Sequence, residues 1–478
     1  MSKQRDAEDS VLMDVEADAA GVRRPKRSVN KTFRRYDQDQ PMLLAPDIRD
    51  WVGPGHPARW VNDLVEDGLD LGPIYDDYTD VRGGPPYDPR LMVKVLIYGY
   101  SHGITSSRAL ERRCHDDVAF GFLTAQQAPD FVAISRFRTR HAEAFKELFT
   151  QSLALCAQAG LVSLGRVALD GSKIRASASR HRAMSYDRMV RAEGELAAEV
   201  EALLADAERL DAAEDAAYGV DRRGDELPAE LARREGRLAA IRQAKAALEA
   251  EHRAKARAQV EQATAAGEVA EAAAVVPAKA QRSFTDPDAR MMKTSDGSFH
   301  YCYNAQHLVD ERSQVILGWA LRPAGADCPA LPDMLTRLKT SLAAAGIGGL
   351  PKTLLADAGY FSADNVTAVT EAGMDPLLAT GRLKHGEQPP PAPRGRIPNN
   401  ATPKQRMTRK LRTLKGKADY ARRKAIVEPV FGQMKVAQDA GHFRLRGTDK
   451  THGEWALHTF CHNLRKLQNS GWTPQMVI

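Results

Sequence analysis

KTLLADAGY, Lys352 to Tyr360, runs a short apolar segment into a single acid, Asp357, and then into an Ala-Gly turn. An apolar run of this length, closed by a turn signal, reads as a buried strand rather than a helix. GRVALDG, Gly165 to Gly171, repeats the design upstream, with Val167-Ala168-Leu169 ending at Asp170. Between them, HYCYNAQHLVD (His300 to Asp310) and QVILGWALRP (Gln314 to Pro323) read as two strands joined by a tight turn at Glu311-Arg312-Ser313. DPLLAT, from Asp375, supplies a fifth strand. Helical patterns fill the gaps at ALPDMLTRLKTSLAAAG and from Ser362 to Gly373. Strands alternating with helices in this way predict an α/β fold with a mixed five-stranded sheet and flanking helices. If the first and fourth strands are neighbours, Asp170 and Asp357 project at one edge, where open sheets place their sites.

The rest of the chain is of other material. Residues 1–30 are polar and aperiodic and read as a flexible tail. Residues 31–160 read as an all-α domain with Arg-rich edges, expected to bind DNA in the manner of a helix-turn-helix reader. Residues 161–184 hold the first strand. Residues 185–280 are rich in Ala, Glu and Arg, with Leu196, Leu203 and Leu210 recurring every seventh position. Leu231, Leu238, Ile241 and Leu248 continue the seam beyond GVDRRGDELPAE, so an antiparallel helical hairpin is predicted here. Its ends must lie close together if the strands on either side are to pair. The sheet then resumes over 281–470, with a basic, Pro-rich loop at 384–418.

Of the 478 residues 43% are apolar, as in an ordinary globular protein, and no apolar run approaches the ~20 residues of a membrane span. MSKQRDAEDSVLMDVEADAAG lacks the apolar core of a signal peptide, so a cytoplasmic, nucleoid-associated protein with no membrane partner is expected. The five cysteines are scattered without a CxxC pair, which reads as buried thiols rather than disulfides or a zinc knuckle. The net charge of +6 hides a strong asymmetry: Gly381 to Lys450 carries 18 Lys and Arg against 5 Asp and Glu. Such concentration suits a phosphate backbone and disfavours a small-molecule hydrolase.

Within that basic region, RKAIVEPVFGQMK (Arg423 to Lys435) sets one acid, Glu428, among apolar residues on a helical pattern. Pro429 must either start this helix or bend it. Asp170, Asp357 and Glu428, converging with no basic lid foreseen, would repel one another unless divalent cations join them. Oxygen ligands suit Mg²⁺ or Mn²⁺, and two such ions about 3.5–4 Å apart can clamp the attacking and leaving oxygens of a phosphodiester. Asp310 and Asp327, also at strand ends, are further acids near this edge, although Asp is common in turns.

LDGSKIRASAS around Asp170, LLADAGYFS around Asp357 and YARRKAIVEPVFGQMK around Glu428 resemble the three acidic blocks of the DDE transposases of bacterial insertion sequences. PYDPRLMVKVLIYGYSHGITSSRALERRC resembles the helical domain that precedes the catalytic core in that group. The resemblance implies an RNase H-like core, with Asp170, Asp357 and Glu428 as catalytic, metal-binding residues. Tyr420, Arg423, Glu428 and Lys435 match the residue types of the family's last block, implying DNA contacts by Tyr420, Lys435 and Arg423 or its neighbour Arg422. It further implies metal-dependent cleavage of double-stranded DNA at transposon ends, strand transfer into a target, and action as a homodimer or larger assembly. A DNA-binding regulator without catalysis, a decayed element, or a metal-dependent nuclease without strand transfer share these sequence features.

Overall fold

The computed structural model describes residues 47–79, 84–179, 182–218, 229–265, 275–381 and 394–474, and in 203–232 and 262–274 no side chain. The tail expected over 1–30 lies outside the described residues. Between Ile48 and Gln158 the described residues form helices α1 (Ile48–Trp51), α2 (Pro57–Asp63), α3 (Gly72–Tyr75), α4 (Pro89–Ser101), α5 (Ser107–Asp116), α6 (Val118–Leu123), α7 (Phe131–Arg140) and α8 (Ala142–Gln158). Asp88, Asp117 and Asp130 cap α4, α6 and α7 by accepting from backbone N–H groups of the first turn. α4 is buried all round, as its apolar sequence demands. One arginine of the supposed DNA-facing edge is internal: Arg138 is buried and donates to Tyr100 Oη, the Thr105 carbonyl and Ser107 Oγ.

The sheet follows. β1 (Arg166–Arg175) is joined through β2 (Ala183–Ser185), α9 (Tyr186–Tyr218), α10 (Ala229–Ala265) and β3 (Gln281–Ser283) to β4 (Arg290–Lys293) and β5 (Phe299–Asp310). Next come β6 (Ile316–Arg322), α11 (Leu331–Ala344), β7 (Thr353–Ala356), α12 (Ala363–Glu371), β8 (Asp375–Leu378), α13 (Pro403–Arg412), α14 (Leu414–Ala437) and α15 (Thr448–Asn469). All five expected strands are present, but the main sheet has six. The addition is β4, which pairs with β5 over Phe299–Cys302, ahead of the stretch where β6 pairs with it. The order β5-β1-β7-β8 runs antiparallel at β1–β5 and parallel at β1–β7 and β7–β8.

The insertion is the antiparallel hairpin the heptads predict. Glu193 pairs with Arg242 and Lys245, while Glu199, further along α9, pairs with Arg234, earlier on α10. Met189, Leu196, Val200, Leu238, Ile241 and Leu248 form its own small core. The side chains of Leu203, Leu210 and Leu231 lie outside the described residues. The β2–β3 ribbon clamps the base, so the detour leaves β1 free to pair with β5.

The span expected as a loop at 384–418 is helical from Pro403 onward. Thr402 and Gln405 form a reciprocal capping box with Pro403 at the first helical position, which starts α13. Pro429 lies inside α14 and does not begin it. It has no N–H for the Ala425 carbonyl four residues back, and the Gln314 side chain donates to that oxygen instead at 3.0 Å. The buried face of α14 comprises Arg423, Ile426, Val427, Val430, Phe431 and Met434. Spacings of three and four seat this face on the sheet.

α15 packs against β6 and the N-terminal helices. Asn463, fully buried, accepts from the Ile316 N–H and donates to the Ile316 carbonyl, satisfying the outer edge of β6. Gly453 is where α15 crosses α8: a Cβ there would stand 2.5 Å from Ala142 Cβ and 2.8 Å from Ala142 Cα. Gly453→Ala is therefore expected to destabilise the chain by about 1–3 kcal/mol through overpacking against backbone. Denaturant unfolding measures this, and an unchanged midpoint would show that the crossing yields freely.

Candidate active site

The register of two parallel strands builds the site. Leu169 pairs with Ala356, so the next residue on each strand is an acid, Asp170 on β1 and Asp357 after β7. Asp357 caps the following 3-10 turn, accepting from the Gly359 N–H at 2.9 Å. Asp170 accepts from the Gly171 N–H at 2.8 Å.

α14 then lies along one face of β1. Arg166, Asp170 and Ser172 alternate onto that face. They meet Asp419, Arg423 and Lys435 in turn: Arg166 Nη2 to Asp419 Oδ1 at 2.6 Å, Arg423 Nη1 to Asp170 Oδ2 at 2.8 Å, Lys435 Nζ to Ser172 Oγ at 2.6 Å. Both members of the Asp170–Arg423 pair are largely buried, so removing either partner would leave a buried charge uncompensated. The other nitrogen of Arg423, Nη2, lies 3.5 Å from Glu428 Oε1, and Glu428 is half exposed. Arg423 thus stands between two of the three acids. The expectation of a site without a basic lid is corrected: a buried guanidinium already compensates two carboxylates. Arg422 points elsewhere, 3.5 Å from Glu311. Tyr420 is partly buried beside Arg423, within the field of Asp170 and Asp357.

These contacts set the titration of the site. Burial raises the Asp170 carboxyl above its ordinary value, Arg423 opposes that rise, and Asp357 adds to it. Burial alone would lower the Arg423 guanidinium, but the charge and hydrogen bond of Asp170 help to outweigh it and hold it up. Burial lowers Lys435. His307, opposite Asp170 across the β1–β5 pair, is fully buried against the Phe431 and Trp455 rings and held neutral by desolvation.

The other face of β1 carries residues that the sequence left unassigned. Gly171 has no side chain, and the Gln306 and Asn304 amides fill the space. Both donate to Asp327 Oδ1, at 2.9 and 2.8 Å, and Lys173 Nζ approaches the same oxygen at 3.4 Å. Tyr360, three residues after Asp357, donates its hydroxyl to Gln306 Oε1. Two amides two apart on one strand face, Asn304 and Gln306, are the readable signal of this network. Asp310 belongs to a different structure. It is buried and accepts from Ser163, Leu164 and Arg312, bracing the strand entry.

Among the described residues no three His, Cys, Asp or Glu side chains stand so as to hold a metal ion. The donors nevertheless suit one: Asp170 and Asp357 are neighbouring carboxylates that could supply oxygen ligands, and Arg423 lies between Asp170 and Glu428. Four of the five cysteines are buried free thiols and Cys328 is half-buried.

The Asp170–Arg423 pair yields a pH test. A carboxyl raised on folding binds more protons folded than unfolded, so its contribution is full below the unfolded value and is lost as pH rises through the folded one. Removing Arg423 removes the main opposing charge, so Arg423→Gln is expected to extend that loss to higher pH. Unfolding midpoints measured across the acid range check this, and an unchanged pH profile would contradict the pairing.

Two families match the chain. Residues 46–140 match the family described as "Transposase domain (DUF772)", and residues 277–464 match "Transposase DDE domain". No curated protein and no solved structure matches. Domains of the second kind generally depend on a divalent metal, and among the described residues no helix is long and apolar enough to cross a membrane. The first match covers α1 to α7, and the second covers the chain from β3 onward together with Asp357 and Glu428. The chain belongs to the insertion-sequence DDE transposases.

Proposed function

We propose that this transposase binds the double-stranded DNA ends of its element, cleaves them to expose 3′-hydroxyls and joins those to target DNA. The observation that carries the reading is the adjacency of Asp170 and Asp357 at parallel strand ends, with Glu428 facing them across Arg423. In this reading the sheet is an RNase H-like core, and Asp170, Asp357 and Glu428 hold Mg²⁺ or Mn²⁺, two ions in all. Bound there, the ions supply the Lewis acidity that in-line phosphodiester displacement requires. Cations held there would take over the charge that Arg423 now compensates on Asp170 and Glu428, and Arg423, Lys435, Tyr420 and Arg422 would contact the DNA backbone. Lys435 already lies on Ser172, two residues along β1 from Asp170, within reach of a phosphate at the site.

The basic surface beside the site supports DNA as the substrate. Lys404, Arg412, Lys415, Lys417 and Lys424, on α13 and α14, are exposed and make no ion pair among the described residues. The helices of residues 47–158 serve as the second DNA contact, and two copies of the chain hold the two ends together.

Asp170→Asn, Asp357→Asn and Glu428→Gln are each expected to reduce Mg²⁺-dependent end cleavage to background while end binding persists. Full cleavage by any one of them sinks its assignment. Joined donor–target products are expected from the wild-type chain, and their absence beside normal cleavage would leave a nuclease. Lys415→Ala with Lys417→Ala is expected to flatten the dependence of log K on log salt by about 0.9 per lost phosphate contact. An unchanged slope would remove this surface from the DNA path.

A further inference from the structure

The base of the arm opens a cleft of about 640 Å³ between the β2–β3 ribbon and the helices α9 and α10. Met184, Ile241 and Phe284 form its apolar floor and pack with the arm's own small core. Three guanidiniums line it: Arg182 just before β2, Arg188 in the first turn of α9, and Arg237 on α10. All three are exposed, and none has a carboxylate partner among the described residues. Asp187, beside Arg188, is committed to Arg191. The ion pairs that join the two helices of the arm take Arg234, Arg242 and Lys245 and leave these three out. Three like charges around one cleft repel one another, and an anionic partner relieves that repulsion.

A second observation connects the cleft to the catalytic edge. The chain that leaves Asp170 along β1 runs on to the arm, and cations sit along it. Lys435 lies on Ser172. The segment after α14 then adds to the end of β1: the Arg175 N–H donates to the Gly441 carbonyl at 3.2 Å, and the Phe443 N–H to the Arg175 carbonyl at 2.8 Å. This addition brings Arg446 onto Ser177, where Nε donates to the carbonyl at 2.9 Å and to Oγ at 3.2 Å. Arg446 is exposed, and its two terminal nitrogens have no partner among the described residues. A guanidinium fixed by Nε with both terminal nitrogens left over is prepared for a phosphate. Arg182 follows at the cleft. At no more than about 3.6 Å per residue it lies within about 43 Å of Asp170, which a duplex covers in under about two turns.

We propose that the base of the arm is a binding surface for double-stranded DNA. The duplex runs from the catalytic acids past Arg446 into the cleft, where Arg182, Arg188 and Arg237 hold backbone phosphates and the sugars lie over Met184 and Phe284. All three cations of the cleft are arginines, whose planar fork matches phosphate oxygens in pairs. Contacts of this kind fix the register and direction of the duplex and read no sequence. The arm is then an anchor for DNA that has left the site, in addition to the basic face of α13 and α14. This rests on the proposed action of the chain on DNA.

The test is a salt titration of the full chain against a fluorescent duplex of about 40 base pairs, some four turns, carrying the element's end. Arg182→Gln, Arg188→Gln and Arg237→Gln together are expected to flatten the slope of log K against log salt by about 0.9 per lost contact, up to about 2.7, with the melting temperature of the free chain unchanged. Lys at the same three positions keeps the charge and is expected to keep most of the slope. Should the Gln triple fail to fold, each single Gln variant is read against the same loss of about 0.9. An unchanged slope overturns the proposal, and so does weaker binding at an unchanged slope. A triple that loses self-association in light scattering while its slope stays intact gives the cleft to a second copy of the chain and overturns it too. If the wild-type chain shows no salt-dependent binding to the duplex, the action on DNA itself fails; if it does and the Gln triple matches it, only the arm contact fails.

Discussion

The parallel pairing of β1 with β7 forces two like charges together. Backbone hydrogen bonds fix Leu169 opposite Ala356, and the next residue on each strand is an aspartate. A fold that accepts this repulsion in its core has to offset it. Much of the remaining architecture can be understood as the means: backbone N–H groups on each carboxylate, Arg423 brought in on α14, and amides gathered around Asp327.

α14 is the element on which that compensation turns, and its own placement is over-determined. Arg166 holds Asp419, Asp170 holds Arg423 and Ser172 holds Lys435, three residues of one strand face gripping one helix. Gln314 completes the grip. It adopts a left-handed φ of 60°, donates to the carbonyl exposed by Pro429 and accepts from Lys466 of α15. The Ala425 carbonyl that the proline leaves without a helical donor is thus paired, and Glu428 beside it is held at the rim with half its surface in solvent. The helical arm makes no contribution to this set of contacts. Closed at its base by β2 and β3, it leaves the sheet topology intact.

What was legible in the sequence was local. Apolar runs ending in acids mark β1 and β7, and a heptad seam broken by Gly and Pro marks the arm, because each signal lies within a dozen residues or so. What escaped depends on distant partners. Nothing near Arg423 says that Asp170, on another element, will bind it, and nothing near Pro429 announces Gln314. β4 was missed because RMMK is too short to show alternation and becomes a strand only by adding to the edge of β5. α13 was missed for a different reason. Its Thr-Pro-x-Gln start is a capping signature, but the proline and basic density around it read as loop.

In the proposed function Arg423 holds the place of a cation between acids that would bind metal. The most direct measurement is anomalous scattering from crystals of the protein grown with Mn²⁺. The account predicts a Mn²⁺ peak bound by Asp170 and Asp357 oxygens, with the Arg423 guanidinium withdrawn from Asp170 Oδ2. Crystals saturated with Mn²⁺ that show no peak between these carboxylates, with the Asp170–Arg423 pair intact, would contradict it.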